Sequence, residues 1–339
     1  MTTSLTDFGD GYQLITLENS RGLRLSCTDF GARLTSLTKN GRELVLGFDQ
    51  ASDYQQELGD AIYYGAIVGR VAGRISGAEA DISGQRYKLT ANEKGRNTLH
   101  GGGENGLHDK KWEVELGDNQ VIFTTTLADG LHGFPGNVAV KVIYFLNDED
   151  EWGYEILATS DQDTLWNPCH HVYFNLTGDV SQPLDHHKLW LNASHYEPLK
   201  EGLPSFTKAD VTGTALDFTK EKAIGDALHS LDKQITENNG IDHPFFLDDQ
   251  QGVQARLISP DGQLSVELST NQPSVVIFTA NFGDNTPIAR GNRLAHQGAL
   301  TFETQVAPGA EQNASFGTLL LKAGEPYYNQ TIFKINSLK

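Results

Sequence analysis

The chain has 339 residues, and 26 basic against 44 acidic side chains give it a formal net charge of −18. A field of that sign repels phosphodiester backbones and anionic leaflets, so nucleic acid and membrane surfaces are poor partners. Only two cysteines are present, Cys27 and Cys169, which rules out a disulfide framework and suits a reducing compartment.

The first residues, Met1-Thr2-Thr3-Ser4-Leu5-Thr6-Asp7, carry neither a basic segment nor an apolar run, so no secretory signal is expected. No run approaches the length of a membrane span. These features predict a soluble, cytoplasmic protein whose ligand is neutral and rich in hydroxyls.

Period-two alternation and β-branched or aromatic runs dominate the chain. Strands are predicted over residues 23–27 and 112–116, then, after a Gly117-Asp118-Asn119 turn, over 121–127. Residues 138–146 and 152–158 flank an acidic segment, 147–151, that reads as a hairpin tip. Residues 220–231 form the single credible helix, with Thr219 as its N-cap. Strands 255–258 and 264–268 enclose an Asp261-Gly262 turn, and 274–279 reads as a buried strand. Many short strands with turn signals between them, and no linker composition, predict an all-β chain: a large antiparallel β-sandwich with few short helices, in a single domain over 1–339.

Three motifs are decoys. Gly101-Gly102-Gly103-Glu104-Asn105-Gly106 spells G-x-G-x-x-G, but it leads into a strand and lacks the βαβ context of a dinucleotide site. The pairs His170-His171 and His186-His187 suggest a metal. Neighbours on a strand face opposite ways, however, and no metal-ligand spacing is present. No G-x-S-x-G elbow marks a nucleophilic hydrolase. No metal and no cofactor are expected.

What remains is an imidazole and a carboxylate in separate strand-like runs. His171 precedes Val172-Tyr173-Phe174-Asn175-Leu176, and Glu303 sits in Thr301-Phe302-Glu303-Thr304-Gln305. Leu300 and Phe302 place core on one face of the second run, which leaves Glu303 on the other, exposed or in a cleft. Taken singly, each residue has a plain structural alternative: His171 as a satisfied core histidine, Arg74 as a surface charge, Asp242 as a turn former.

Together they form a pattern. Gly69-Arg-Val-Ala-Gly-Arg-Ile75, Thr98-Leu-His-Gly-Gly102, Gly133-Phe-Pro-Gly136, His171-Val-Tyr-Phe-Asn-Leu176, Gly240-Ile-Asp-His-Pro-Phe245 and Thr301-Phe-Glu-Thr-Gln305 occur in this order. Gly31-Ala-Arg33, Leu46-Gly-Phe-Asp49 and Leu321-Lys-Ala-Gly-Glu325 fit as well. The set resembles the aldose 1-epimerase (galactose mutarotase) family over most of the chain. That resemblance implies a mutarotase-type supersandwich and exchange of the α and β anomers of D-galactose, and also of D-glucose, within galactose metabolism. It puts the general acid on His171, the general base on Glu303, and sugar contacts on Arg74, His100, Asp242 and Phe278. Many family members carry Asn where this chain has Gly73, so one sugar hydrogen bond is expected to be missing. His170 is expected to face away from the site. A hexose-6-phosphate 1-epimerase, with Arg70 and Arg74 as phosphate ligands, and a non-catalytic sugar-binding protein are the alternatives. A monomer or weak homodimer is expected.

An ordinary imidazole and carboxylate titrate near pH 6.5 and 4.3, so imidazolium and carboxylate coexist between about pH 5 and 7. Such a pair can protonate a ring oxygen while it deprotonates an anomeric hydroxyl.

Overall fold

The structure, a computed structural model, describes residues 1–55, 63–249, 251–282 and 288–338. Strands dominate, and every strand pair within the three large sheets is antiparallel. Thr2–Gly9, Tyr12–Glu18, Leu23–Thr28, Arg33–Lys39 and Arg42–Glu43 form a sequential five-stranded sheet. A nine-stranded sheet runs in the order Lys222–Ala223, Lys188–Leu191, Ala255–Ile258, Leu264–Thr270, Tyr327–Ser337, Glu151–Ser160, Val138–Leu146, Gln120–Leu127 and Glu113–Gly117. A six-stranded sheet follows the order Tyr173–Phe174, Leu300–Gln305, Ser274–Phe278, Asp242–Phe246, His195–Tyr196 and Ala209–Asp210.

The inner faces of the two larger sheets share one apolar core. Ile156, Leu268, Phe333 and Ile335 from the nine-stranded sheet join Phe174, Phe245, Val275, Ile277, Leu300 and Phe302 from the six-stranded one. This is the expected sandwich, and the predicted strands are all present with ends shifted by a residue or two. The long strand Tyr327–Ser337 was not evident in the pattern. Its inward positions begin with two polar residues, Asn329 and Thr331, both fully buried. Thr331 is accommodated there by hydroxyl contacts to Thr270 at 2.9 Å and Thr304 at 2.7 Å.

The helix expected over residues 220–231 is much shorter. Lys222–Ala223 pairs as a strand with residues 188 and 189, and only Ile224–Leu228 is helical. Its N-cap is Ala223, while Thr219 instead hydrogen-bonds to Asp217. Extended pairing wins over the first turn because it continues the nine-stranded sheet. Leu231, expected on the helix, is 93% exposed. A second short helix, Lys233–Thr236, follows, capped by the Asp232 side chain.

The acidic tip is also more than a solvated turn. Asp150 is buried and bonds Lys39 Nζ at 2.9 Å and Asn19 Nδ2 at 2.9 Å, which ties the nine-stranded sheet to the five-stranded one.

Candidate active site

Strand alternation builds one wall of the site. With Leu300, Phe302 and Thr304 turned into the sandwich, Thr301, Glu303 and Gln305 project from the other face of the six-stranded sheet. Register pairs Glu303 with Val276 and Thr301 with Phe278, and these in turn face Pro244 and Asp242. Directly opposed residues share a face, so Asp242, Phe278, Thr301 and Tyr173 form one row and Pro244, Val276 and Glu303 the next.

The second wall comes from loops. His171 is pinned at both backbone ends: its amide donates to Ala66 O and its carbonyl accepts from Gly65 N, each at 2.9 Å. The glycine-rich loop carries His100, whose backbone has φ +52°. A Cβ on Gly101 would stand 1.9 Å from Gly69 O, so this glycine lets the loop lie flat against the Gly69–Arg70 backbone and aim His100 inward. That close packing requires a glycine at position 101, while a Cβ on Gly103 would meet nothing closer than 3.9 Å. Residues from both walls, including His171, Glu303, Arg74, His100, Asp242 and Phe278, line one cavity of about 110 Å³, closed on a third side by Leu199, Pro204 and Pro308.

At its centre His171 Nε2 lies 3.3 Å from Glu303 Oε1, and both side chains are more than 90% buried. Both carboxylate oxygens have further donors. Thr301 Oγ1 donates to Oε1 at 3.0 Å, while the Cys169 thiol at 3.7 Å and Gln305 Nε2 at 3.4 Å approach Oε2. Burial, followed by the Glu303 charge, holds Cys169 well above the usual thiol range, so it remains a donor.

Arg74 donates from Nε to Glu93 Oε1 at 2.7 Å, and Asn97 fixes the second oxygen of Glu93 at 2.8 Å. Burial opposes the Arg74 charge, but the carboxylates Asp242, Glu93 and Glu303 outweigh it and raise its pKa. His100 is pushed the other way. Burial first, then the neighbouring His171, Arg74 and His108, hold its pKa well below the ordinary value. Its Nδ1 stands 3.0 Å from Ala72 O. A carbonyl only accepts, so Nδ1 carries the proton and Nε2 is left as an acceptor.

The adjacent His170 faces the opposite way. Its Nε2 contacts Gly65 O at 2.9 Å and Tyr144 Oη at 3.2 Å inside the core, and burial lowers its pKa to about 3. His187 is also structural, its Nε2 accepting from the Leu176 amide at 3.0 Å. Arg70 is sealed by the carbonyls of Ala128, Pro135 and Gly136 and by the Thr164 hydroxyl, at 2.6–3.1 Å. Among the described residues no group of three or more His, Cys, Asp or Glu is placed to hold a metal ion, and no helix is long and apolar enough to cross a membrane.

Several site residues carry no local sequence signal. Tyr63 packs tilted against His100, with ring centroids 4.4 Å apart, yet it lies in no motif. Thr301 and Gln305 were readable in principle, two residues either side of Glu303 on one strand face. At Gly73, a Cβ would meet Pro308 Cγ at 2.7 Å and Cβ at 2.9 Å: the proline ring occupies the space that a side chain there needs.

The aldose 1-epimerase family model matches residues 13–334. Aldose 1-epimerase from Haemophilus influenzae is 35% identical, with 98% of each chain covered. Galactose mutarotase from Bos taurus is 34% identical over 93% of this chain and 91% of its own. The crystal structure of galactose 1-epimerase from Lactobacillus acidophilus superposes with a TM-score of 0.90 at 30% identity, and both chains are fully covered. A family match across nearly the whole chain, full-length relatives above 30% identity and the same fold lead to one conclusion: this chain belongs to the aldose 1-epimerase family.

Proposed function

We propose that the protein is an aldose 1-epimerase that interconverts the α and β anomers of D-galactose, and also of D-glucose. The observation that carries this reading is the contact of His171 Nε2 with Glu303 Oε1 at 3.3 Å inside a cavity that Arg74, His100 and Asp242 also line. Glu303, as carboxylate, takes the proton from the anomeric hydroxyl while His171, as imidazolium, delivers one to the ring oxygen. The ring C1–O5 bond breaks and an open-chain aldehyde forms. Rotation about C1–C2 presents the other carbonyl face, and both proton transfers reverse as the ring closes. The sequence returns both residues to their starting states, so it consumes nothing. Each transfer contributes about 10²- to 10⁴-fold.

Arg74 and Asp242 supply charge-assisted hydrogen bonds to ring hydroxyls, His100 Nε2 accepts one, and Phe278 offers an apolar ring face. Orientation is their contribution. No observation favours the phosphosugar alternative: Arg70 is buried against carbonyls, which leaves Arg74, already paired with Glu93. Both cysteines are buried and unbridged, which supports a cytoplasmic setting; we take the working unit to be a monomer or weak homodimer acting as one domain.

Polarimetry on freshly dissolved α-D-galactose and α-D-glucose tests the proposal. Optical rotation is expected to relax faster with protein than without. If it does not, while either sugar still binds, the protein is a binding module. Acceleration confined to glucose 6-phosphate moves the substrate to phosphosugars.

A further inference from the structure

One buried hydroxyl in the site has a fixed direction. The Thr301 side chain is completely buried, and its Oγ1 has two polar neighbours. The backbone N–H of Phe278, its cross-strand partner, donates to it at 3.3 Å. Glu303 Oε1 lies 3.0 Å away on the other side. An amide only donates and a carboxylate only accepts, so the single hydroxyl proton points at Glu303.

Resting on Glu303 as the base of the proposed reaction, we propose that Thr301 is a positioning residue for the proton exchange, its hydroxyl aiming and holding the Glu303 carboxylate. A glutamate has three rotatable bonds, and a base displaced by about 1 Å loses on the order of 100-fold in rate. The Thr301 hydroxyl is fixed by the sheet register itself, so it transmits the rigidity of the Ser274–Phe278 and Leu300–Gln305 pair to the carboxylate.

Other groups act on Glu303 from every side: His171 at 3.3 Å, the Cys169 thiol at 3.7 Å, the Arg74 charge across the cavity and the Tyr154 hydroxyl behind the sheet. None of them changes in the test variants.

The experiment compares Thr301→Val, Thr301→Ser and Glu303→Gln with the wild type by polarimetric kcat and KM. Thr301→Val is expected to lower kcat about 10-fold or more with KM within twofold. Thr301→Ser, which keeps the hydroxyl, is expected to restore kcat. Where Thr301→Val does not fold, Thr301→Ala removes the hydroxyl with less bulk and gives the same test. Wild-type kcat in the hydroxyl-less variant overturns the proposal. So does a lowered kcat that serine fails to restore, since that marks packing alone. Glu303→Gln at wild-type turnover is a separate outcome: it removes Glu303 as base, and the proposal with it.

Discussion

The imidazole and carboxylate of His171 and Glu303 touch, so each is already solvated by the other before a sugar arrives. Replacing either with a neutral isostere leaves the walls of the cavity in place and removes one proton transfer. His171→Asn and Glu303→Gln are therefore each expected to lower kcat by about 10²- to 10⁴-fold. Circular dichroism and thermal melts are expected to match the wild type, and near-normal turnover in either folded variant refutes the assigned role. Gly73 permits a test of shape. Its backbone does not adopt a left-handed conformation, but a methyl group there meets the Pro308 ring at under 3 Å. A proline ring cannot swing aside, so Gly73→Ala forces the loop carrying Pro308 outward, at a cost of about 1–3 kcal/mol. Chemical denaturation reads that cost, and KM for the sugar is expected to rise as the cavity wall shifts. The sequence made these residues legible to different degrees. Glu303 could be placed on a face because Leu300 and Phe302 mark the core side. Tyr63 and Pro308 reach the cavity from loops, where no periodicity reports direction.

Strands could be anticipated wherever alternation was apolar against polar, as in Val138–Leu146 and Ala255–Ile258. They escaped notice where buried polar groups interrupt the pattern, as with Asn329 and Thr331 in Tyr327–Ser337. The helix over residues 220–231 failed for a non-local reason, since sheet pairing claimed its first turn. The acidic tip between Val138–Leu146 and Glu151–Ser160 shows the same limit for charge. A run of Asp and Glu usually means a solvated surface, yet Asp150 is buried and shares its carboxylate between Lys39, Asn19 and the more exposed Arg21. The Lys39 ammonium also donates to Arg21 O at 2.8 Å. Lys39→Met removes a buried cation and leaves its partner charge in place, which costs about 3–5 kcal/mol when a buried pair is broken in this way. Urea denaturation is expected to show a loss of that order. A change under 1 kcal/mol means that Arg21 closes over Asp150 and replaces the lysine.

Across the whole molecule, buried ionisable groups set how stability depends on pH. Burial holds His108, His170 and His243 near pKa 3 and His187 near 4, below the ordinary 6.5. Below pH 6.5 the unfolded chain takes up protons at these four positions and the folded chain does not, so stability falls as pH drops. At its steepest, the loss from four protons is about 5 kcal/mol per pH unit. Glu197 acts in the opposite direction. It is fully buried, with its Oε1 accepting from the Phe206 amide at 2.7 Å. Burial, assisted by Glu311, raises its pKa from 4.5 to about 8. Between those values the folded state holds a proton that the unfolded state has released, so its contribution falls as pH rises and is level above about 8. From 4.5 to 6.5 the four histidines outweigh the single glutamate and stability climbs. The unfolded histidines are still half protonated at 6.5, so the climb continues to about pH 7, and from there to 8 the glutamate leads and stability declines by less than about 1 kcal/mol. Chemical denaturation across this range is therefore expected to place the maximum near pH 7. Glu197→Gln cannot ionise, so it is expected to abolish the decline above about pH 7 and to steepen the acid limb between 4.5 and 6.5 by about 1.4 kcal/mol per pH unit. A decline that persists in this variant assigns the alkaline loss to another group, and a flat wild-type profile from 4 to 6.5 means that the four imidazoles are hydrated in the folded chain.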